Sequence, residues 1–306
     1  MRIVIHDADA QAYQRLLQAA FPDAEVLTYE RAGAVPADYL AVFRPPEALL
    51  AAQGPSLKAI LNLGAGVDAL LDSPALPKAV PVVKLRDAGM APLMLDYVLY
   101  ALLHFSRDFD IYAQQSREAR WQLHLPQSRA AWPVGVLGLG AIGAQVAQGL
   151  ARHGFTVCAH SRSPKRLEGV ECLHGDEGFD QLLARSRVLV NILPSTPATR
   201  GLLNRDTLSR LPQGAVLINP GRGTAVVLDE LVELLDAGHL RGAALDVFPA
   251  EPLPPESPLW RHPKLLITPH AAAPTPVEEA ARQLTDTIHA FERGEAPPSV
   301  DAGAGY

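Results

Sequence analysis

The sequence predicts an α/β protein of two doubly wound parallel sheets, and three observations lead there. Short runs rich in Val, Ile and Leu alternate with longer amphipathic segments, the pattern of strands buried beneath helices on both faces. The runs fall in two series, on either side of a long helical stretch. The chain has 306 residues, 48% hydrophobic and 20% charged, enough for two domains of ordinary size with a sizeable core.

In chain order, the first series predicts strands at 2–5, 25–29, 40–43, 59–63 and 82–85. Turn residues follow each, and mostly a helical segment, as at 11–20. From about 93 to 123 the pattern reads as one long helix, and Pro92 suits its first turn, where a missing N–H costs nothing. Its apolar positions are dense through Phe105 and sparser afterwards. Such a helix either joins domains or subunits or is a plain buried helix, and the pattern fits both. The second series predicts six strands, at 134–137, 156–159, 188–192, 215–218, 243–247 and 265–267, with five helical segments between them. A last helix at about 276–293 leads into the polar tail "GEAPPSVDAGAGY", expected to be loosely held. No fixed-period repeat is present.

Bulk properties exclude several classes. A net charge of −6 without a Lys/Arg run argues against a nucleic-acid partner. Cys158 and Cys172 make neither a disulfide framework nor a metal-ligand set, and Cys158, in an apolar run, reads as a buried, inert thiol. The start "MRIVIHDADA" enters a strand directly, without the apolar region of a signal peptide, and no apolar run is long enough to cross a bilayer. The expectation is a soluble cytoplasmic protein with neither metal nor membrane partner.

The strongest motif is a strand leading into Gly138-Leu139-Gly140-Ala141-Ile142-Gly143, with a helix after it. In that context the glycines serve a dinucleotide. Gly138 permits the tight turn, Gly140 lets backbone approach a pyrophosphate, and Gly143 lets helix and strand pack closely. The helix N-terminus, at Ala141 and Ile142, offers N–H groups to the phosphates. An NAD site usually carries an acidic residue at the end of the next strand. Here the chain reads "CAHSRSPKRLEG", with Ser161, Arg162 and Ser163 near that point and Lys165 and Arg166 beyond. Hydroxyls and a guanidinium suit a 2′-phosphate, so NADPH (NADP) is favoured over NADH.

Three further strand ends carry charge. "LINPGRG" places Arg222 between glycines, "LDVFPAEPLP" brings Asp246 and then Glu251, and "LLITPH" ends in His270. In doubly wound sheets ligands bind at the carboxyl ends of strands. An arginine, a carboxylate and a histidine there are what hydride transfer to a 2-keto acid needs. Arg222 would grip the substrate carboxylate and polarise the keto oxygen. His270 would donate a proton to that oxygen. Glu251 would orient the imidazole and favour its protonated form.

The ordered set "GLGAIG", "LPSTPATRGL", "LINPGRG", "LDVFPAEPLP" and "ITPH" resembles the D-isomer-specific 2-hydroxyacid dehydrogenase family, over essentially the whole chain. "LNLGAGVD", "HSRSPK" and "EPLPPESPLWRHPKLLITPHAAAPT" make it most like the bacterial-type glyoxylate/hydroxypyruvate reductases. The resemblance implies a flavodoxin-like substrate domain, 1–92 plus 273–306, and a Rossmann cofactor domain, 93–272, with the active site in a cleft between them. It also implies a homodimer to which the helical region at 93–123 contributes. Arg222, Glu251 and His270 match the family's catalytic positions. Ala65 and Gly66 match the loop whose N–H groups meet the substrate carboxylate, Asp246 a residue near the nicotinamide carboxamide, and Pro194, Ser195 and Thr196 the loop lining the cofactor. Two residues depart from the pattern: Pro220, just before the arginine, and Phe43, where a tryptophan is expected. The implied activity is NADPH-dependent reduction of a short 2-keto acid. The alternatives are an NAD-linked dehydrogenase for a larger hydroxy acid and a non-catalytic dinucleotide-sensing scaffold.

Overall fold

Residues 1–301 are described by a computed structural model. They divide into two units, Met1–Met90 with the described residues from Thr275 onward, and Ala91–Pro274. The first unit holds strands β1 (Arg2–His6), β2 (Glu25–Thr28), β3 (Tyr39–Val42), β4 (Ala59–Asn62) and β5 (Val82–Lys84). They run parallel in the order β2-β1-β3-β4-β5. Each lies where an apolar run predicts it, because a central parallel strand is covered on both faces; β3 and β4 are buried at every position. On one face Val4, Leu40, Val42 and Ile60 pack with Leu49, Leu50, Leu57 and Leu70. The helix Val277–Glu292 returns from the far end of the chain to this sheet, where Tyr39 donates to Glu292 at 2.6 Å and Lys58 pairs with the same carboxylate at 2.7 Å. The tail is held further than its composition predicts, since Val300 N–H donates to Val82 O at 2.7 Å. Its remainder, 302–306, lies outside the described residues.

The second unit holds β6 (Val134–Leu137), β7 (Val157–Ser161), β8 (Glu171–His174), β9 (Val188–Asn191), β10 (Ala215–Asn219), β11 (Leu240–Leu245) and β12 (Leu265–Ile267). This parallel sheet has the order β12-β11-β10-β9-β6-β7-β8. The chain moves outward from β6 through β7 and β8, then resumes on the other side at β9. That reversal opens a crevice at the carboxyl ends of β6 and β9. Helices Met90–Ser106 and Ala141–Arg152 cover one face, with Val98, Leu102, Phe105, Val146 and Leu150 packed among Val136, Ile218 and Ala244. The other face buries Leu182, Leu183, Leu231 and Leu235 with Leu189, Leu217 and Leu245. Among the described residues no helix is long and apolar enough to cross a membrane.

Two expectations are corrected. The second sheet has seven strands rather than six: β8, "ECLH", is an edge strand with exposed ends, so it lacks the apolar run that marks a buried one. The helix expected over 93–123 is two, Met90–Ser106 and Phe109–Arg117. Between them Asp108 takes a left-handed backbone, φ 56°. Arg241, far along the chain at the start of β11, secures the break, donating to Asp108 at 2.6 Å and to Asp110 at 2.7 Å. From Arg120 the chain is non-helical as far as Ser128, and Trp121, Leu123 and Leu125 project into solvent.

Candidate active site

The glycine turn follows β6 directly and meets the end of β9 at the crevice. Gly138 has φ 99°, and a Cβ there would lie 3.0 Å from Ile192 O. A Cβ on Gly143 would lie 2.0 Å from Gly138 O, so the helix can start this close to the strand only with glycine. Gly140 differs: a Cβ there would meet no protein atom within 4 Å, and its φ is ordinary. Protein packing therefore does not require a glycine at that point, while close approach of a ligand does. The helix Ala141–Arg152 begins at Gly140 with no capping side chain. These features fit a dinucleotide pyrophosphate, with Ala141, Ile142 and Gly143 offering the first N–H groups of the helix.

The neighbouring strand β7 ends at Ser161, whose hydroxyl donates to Ser163 O at 2.8 Å. Arg162 and Ser163 are exposed. Lys165 reaches back to donate to the Leu139 carbonyl within the glycine turn. A basic loop, two hydroxyls and the glycine turn thus lie together at the carboxyl ends of β6 and β7. Beyond β9, Ser195 and Thr224 share a hydrogen bond of 2.9 Å, and Thr196 is buried.

Arg222, Glu251 and His270 leave the carboxyl ends of β10, β11 and β12, three adjacent strands. Buried asparagines set the first loop. Asn191 Nδ2 donates to Asn219 Oδ1 at 2.8 Å, and Asn219 Nδ2 donates to Arg222 O at 3.1 Å. The glycines flanking Arg222 answer to tight backbone packing. A Cβ on Gly221 would lie 2.7 Å from Asn191 O, and one on Gly223 would lie 2.0 Å from the Phe248 carbonyl carbon. The second contact sets the Arg222 loop against the loop after β11. There Phe248 N–H donates to Glu251 Oε1 at 3.0 Å, and Glu251 Oε2 meets His270 Nδ1 at 2.9 Å. With Nδ1–H committed to the carboxylate, Nε2 is the ring nitrogen left to meet a ligand. The imidazole is partly exposed, its carboxylate partner less so.

His270 has φ 56°, a left-handed backbone that costs a non-glycine residue about 1 kcal/mol. Asp246, almost fully buried, accounts for it. Its carbonyl accepts His270 N–H at 2.8 Å, while its carboxylate accepts Ala271 N–H at 2.8 Å, Ala272 N–H at 2.9 Å and the Thr268 hydroxyl at 2.6 Å. Asp246 is therefore first a structural anchor for the turn that carries His270.

In the first unit, Ala65 and Gly66 follow β4 in a loop held by Asn62, whose Nδ2 donates to Gly64 O at 2.8 Å and Gly66 O at 2.9 Å. Phe43 packs against this loop: a Cβ on Gly64 would lie 3.1 Å from its ring. With both carbonyls turned toward Asn62, the loop can present N–H groups to an anion.

The residues 99–272 match the family model described as D-isomer specific 2-hydroxyacid dehydrogenase, NAD binding domain. A D-isomer specific 2-hydroxyacid dehydrogenase from Xanthobacter autotrophicus Py2, solved with NADPH and MES, is 42% identical, covers 100% of this chain and 99% of its own, and superposes with a TM-score of 0.92. This chain belongs to the D-isomer specific 2-hydroxyacid dehydrogenase family. Other members are similar over the same length. An NADPH-dependent glyoxylate/hydroxypyruvate reductase from Sinorhizobium meliloti, solved with NADP and sulfate, is 34% identical (TM-score 0.93; 100% of this chain and 99% of that one). A probable 2-hydroxyacid dehydrogenase from Rhizobium etli CFN 42, solved with NADP, HEPES and L(+)-tartaric acid, is 32% identical (TM-score 0.88; 100% and 99%). As a member of this family the chain is an NAD(P)-dependent D-2-hydroxyacid dehydrogenase. Sequence reasoning passed over Asn62, Asn191, Asn219 and Thr268, the side chains that hold the dehydrogenase's candidate loops. Their one shared signal is a polar residue at the carboxyl end of an apolar run.

Proposed function

We propose that this dehydrogenase uses NADPH to reduce a short 2-keto acid of the glyoxylate or hydroxypyruvate type, giving the D-2-hydroxy acid where the product is chiral. The observation that carries the reading is the contact of 2.9 Å between His270 Nδ1 and Glu251 Oε2, on the sheet edge that also bears the glycine turn and Arg222. Relatives solved with NADPH or NADP, one of them together with the 2-hydroxy acid tartaric acid, support it.

When bound, NADPH supplies the hydride that C2 of the keto acid accepts. Arg222 and the N–H groups of Ala65 and Gly66 hold the substrate carboxylate, and Arg222 also polarises the keto oxygen. His270 delivers a proton from Nε2 to that oxygen, and Glu251 supports the imidazolium through Nδ1. Gly138, Gly140, Ala141, Ile142 and Gly143 receive the pyrophosphate. Ser161, Arg162 and Ser163 take the 2′-phosphate; Pro194, Ser195 and Thr196 line the cofactor, and Asp246 Oδ2 has one acceptor site left for the carboxamide. In this reading 1–92 with 273–306 serve the substrate and 93–272 the cofactor. A homodimer covers the exposed Trp121, Leu123 and Leu125.

A panel of 2-keto acids assayed with both cofactors tests the reading. Fastest turnover is expected with glyoxylate or hydroxypyruvate and NADPH. A strong preference for NADH overturns the cofactor assignment, and NADPH binding without reduction of any keto acid favours the dinucleotide-sensing scaffold.

A further inference from the structure

The turn bearing His270 is tied to an element outside the strand-end loops. Within the turn, a left-handed residue such as His270 persists only where its surroundings over-determine it. Asp246 does this with one carbonyl and two carboxylate oxygens, as described. The Thr268 hydroxyl has a single hydrogen and commits it to Asp246 Oδ1 at 2.6 Å, so its oxygen acts as acceptor toward the Tyr97 hydroxyl, 3.0 Å away. Tyr97 lies in the helix Met90–Ser106, and its sequence separation from Thr268 is 171 residues. Burial, first of all, pushes the Tyr97 hydroxyl well above the ordinary tyrosine range, so it remains a donor at any working pH. The result is a directed chain from Tyr97 through Thr268 that ends on the Asp246 carboxylate, which also accepts the N–H groups of Ala271 and Ala272.

We propose that Tyr97, acting through Thr268 and Asp246, is a positioning residue for the proton donor His270. The inference rests on the reading of His270 given above. Glu251 fixes the imidazole at Nδ1, whereas the turn fixes the backbone from which the ring projects, and both are needed to aim Nε2. Hydrogen bonds in a chain polarise one another, so the Tyr97 hydroxyl strengthens the bond that Thr268 makes to the carboxylate. Without Tyr97 the Thr268 hydroxyl loses its donor and its rotamer is less restricted. Asp246 then grips the turn less firmly, and Nε2 wanders from the keto oxygen.

The test compares Tyr97→Phe, Thr268→Val and Thr268→Ser with the double variant Tyr97→Phe/Thr268→Val, using kcat and KM for hydroxypyruvate with NADPH and direct titration of NADPH binding. Tyr97→Phe keeps the ring and removes one hydroxyl. It is expected to lower kcat by roughly tenfold or more, the scale on which small misplacements of reacting groups act, and to leave NADPH affinity unchanged. Thr268→Val should behave alike, Thr268→Ser should retain near wild-type kcat, and the double variant should fall no further than the worse single one, because the two hydroxyls act in series. Multiplicative losses in the double variant, equal loss in Thr268→Ser and Thr268→Val, or unchanged kcat in Tyr97→Phe would each overturn the proposal. Should Tyr97→Phe fail to fold, the two Thr268 variants decide it by the same criterion. His270→Ala in the same assay separates the claims. Full activity there removes the proton-donor reading itself, whereas an inactive His270→Ala beside a fully active Tyr97→Phe removes the Tyr97 proposal alone.

Discussion

Gly223→Ala is the perturbation with the most specific consequence. The added Cβ would lie 2.0 Å from the Phe248 carbonyl carbon, 2.3 Å from its oxygen and 2.4 Å from its Cα. These are backbone atoms, so no side-chain rotation relieves the clash, and the two loops must separate by about an ångström or more. One loop carries Arg222. The other carries Glu251 through the Phe248 N–H, and through Glu251 it reaches the His270 ring. A displacement of about 1 Å in a reacting group costs roughly a hundredfold in rate, or about 2.7 kcal/mol of transition-state stabilisation. Overpacking adds a stability loss of about 1–3 kcal/mol, visible in thermal melts. The assay is kcat/KM for hydroxypyruvate with NADPH at a temperature where the variant is folded. With the proposed phosphate contacts at β6 and β7 untouched, NADPH affinity should change far less than kcat/KM. A folded Gly223→Ala with wild-type kcat/KM would refute the claim that this backbone contact aligns Arg222 and Glu251.

Further predictions follow from other contacts. Asn62→Ala removes both donors to the Gly64 and Gly66 carbonyls; it should raise KM for the keto acid, leave NADPH binding unchanged, and cost about 1–3 kcal/mol in denaturant unfolding. Arg162→Ala should raise KM for NADPH and leave KM for NADH nearly unchanged, as cofactor-paired kinetics will show. Lys58 and Tyr39 hold the Glu292 carboxyl below the usual carboxylate range. A depressed value stabilises the fold above the ordinary carboxylate range and is lost as pH falls through the folded-state value. Glu292→Gln should therefore lower the melting temperature modestly at neutral pH, with the difference shrinking in acid.

What was legible in the sequence follows from which interactions are local. Apolar runs mark β1–β7 and β9–β12, most plainly the strands buried at every position, such as β3, β4 and β10. The glycine turn is equally plain, since its constraints are a close approach to its own helix and an open side at Gly140. Arg222, Glu251 and His270 stand out because charge at the end of a buried strand is costly without a purpose. Edge strand β8 escaped because half its positions face solvent and its residues are mixed. The break after Ser106 escaped because the ion pair that secures it comes from Arg241, in another strand. The supports of the site escaped for the same reason: nothing near Thr268 in the sequence points to Tyr97, and Asn191 meets Asn219 only once β9 and β10 are paired.

Turnover of His270→Gln tests whether His270 protonates the keto oxygen of a short 2-keto acid. With NADPH and hydroxypyruvate, and NADPH binding confirmed by titration, kcat is expected to fall by about 10²–10⁴, the usual contribution of a positioned general acid. A variant that binds NADPH and turns over at the wild-type rate would contradict it.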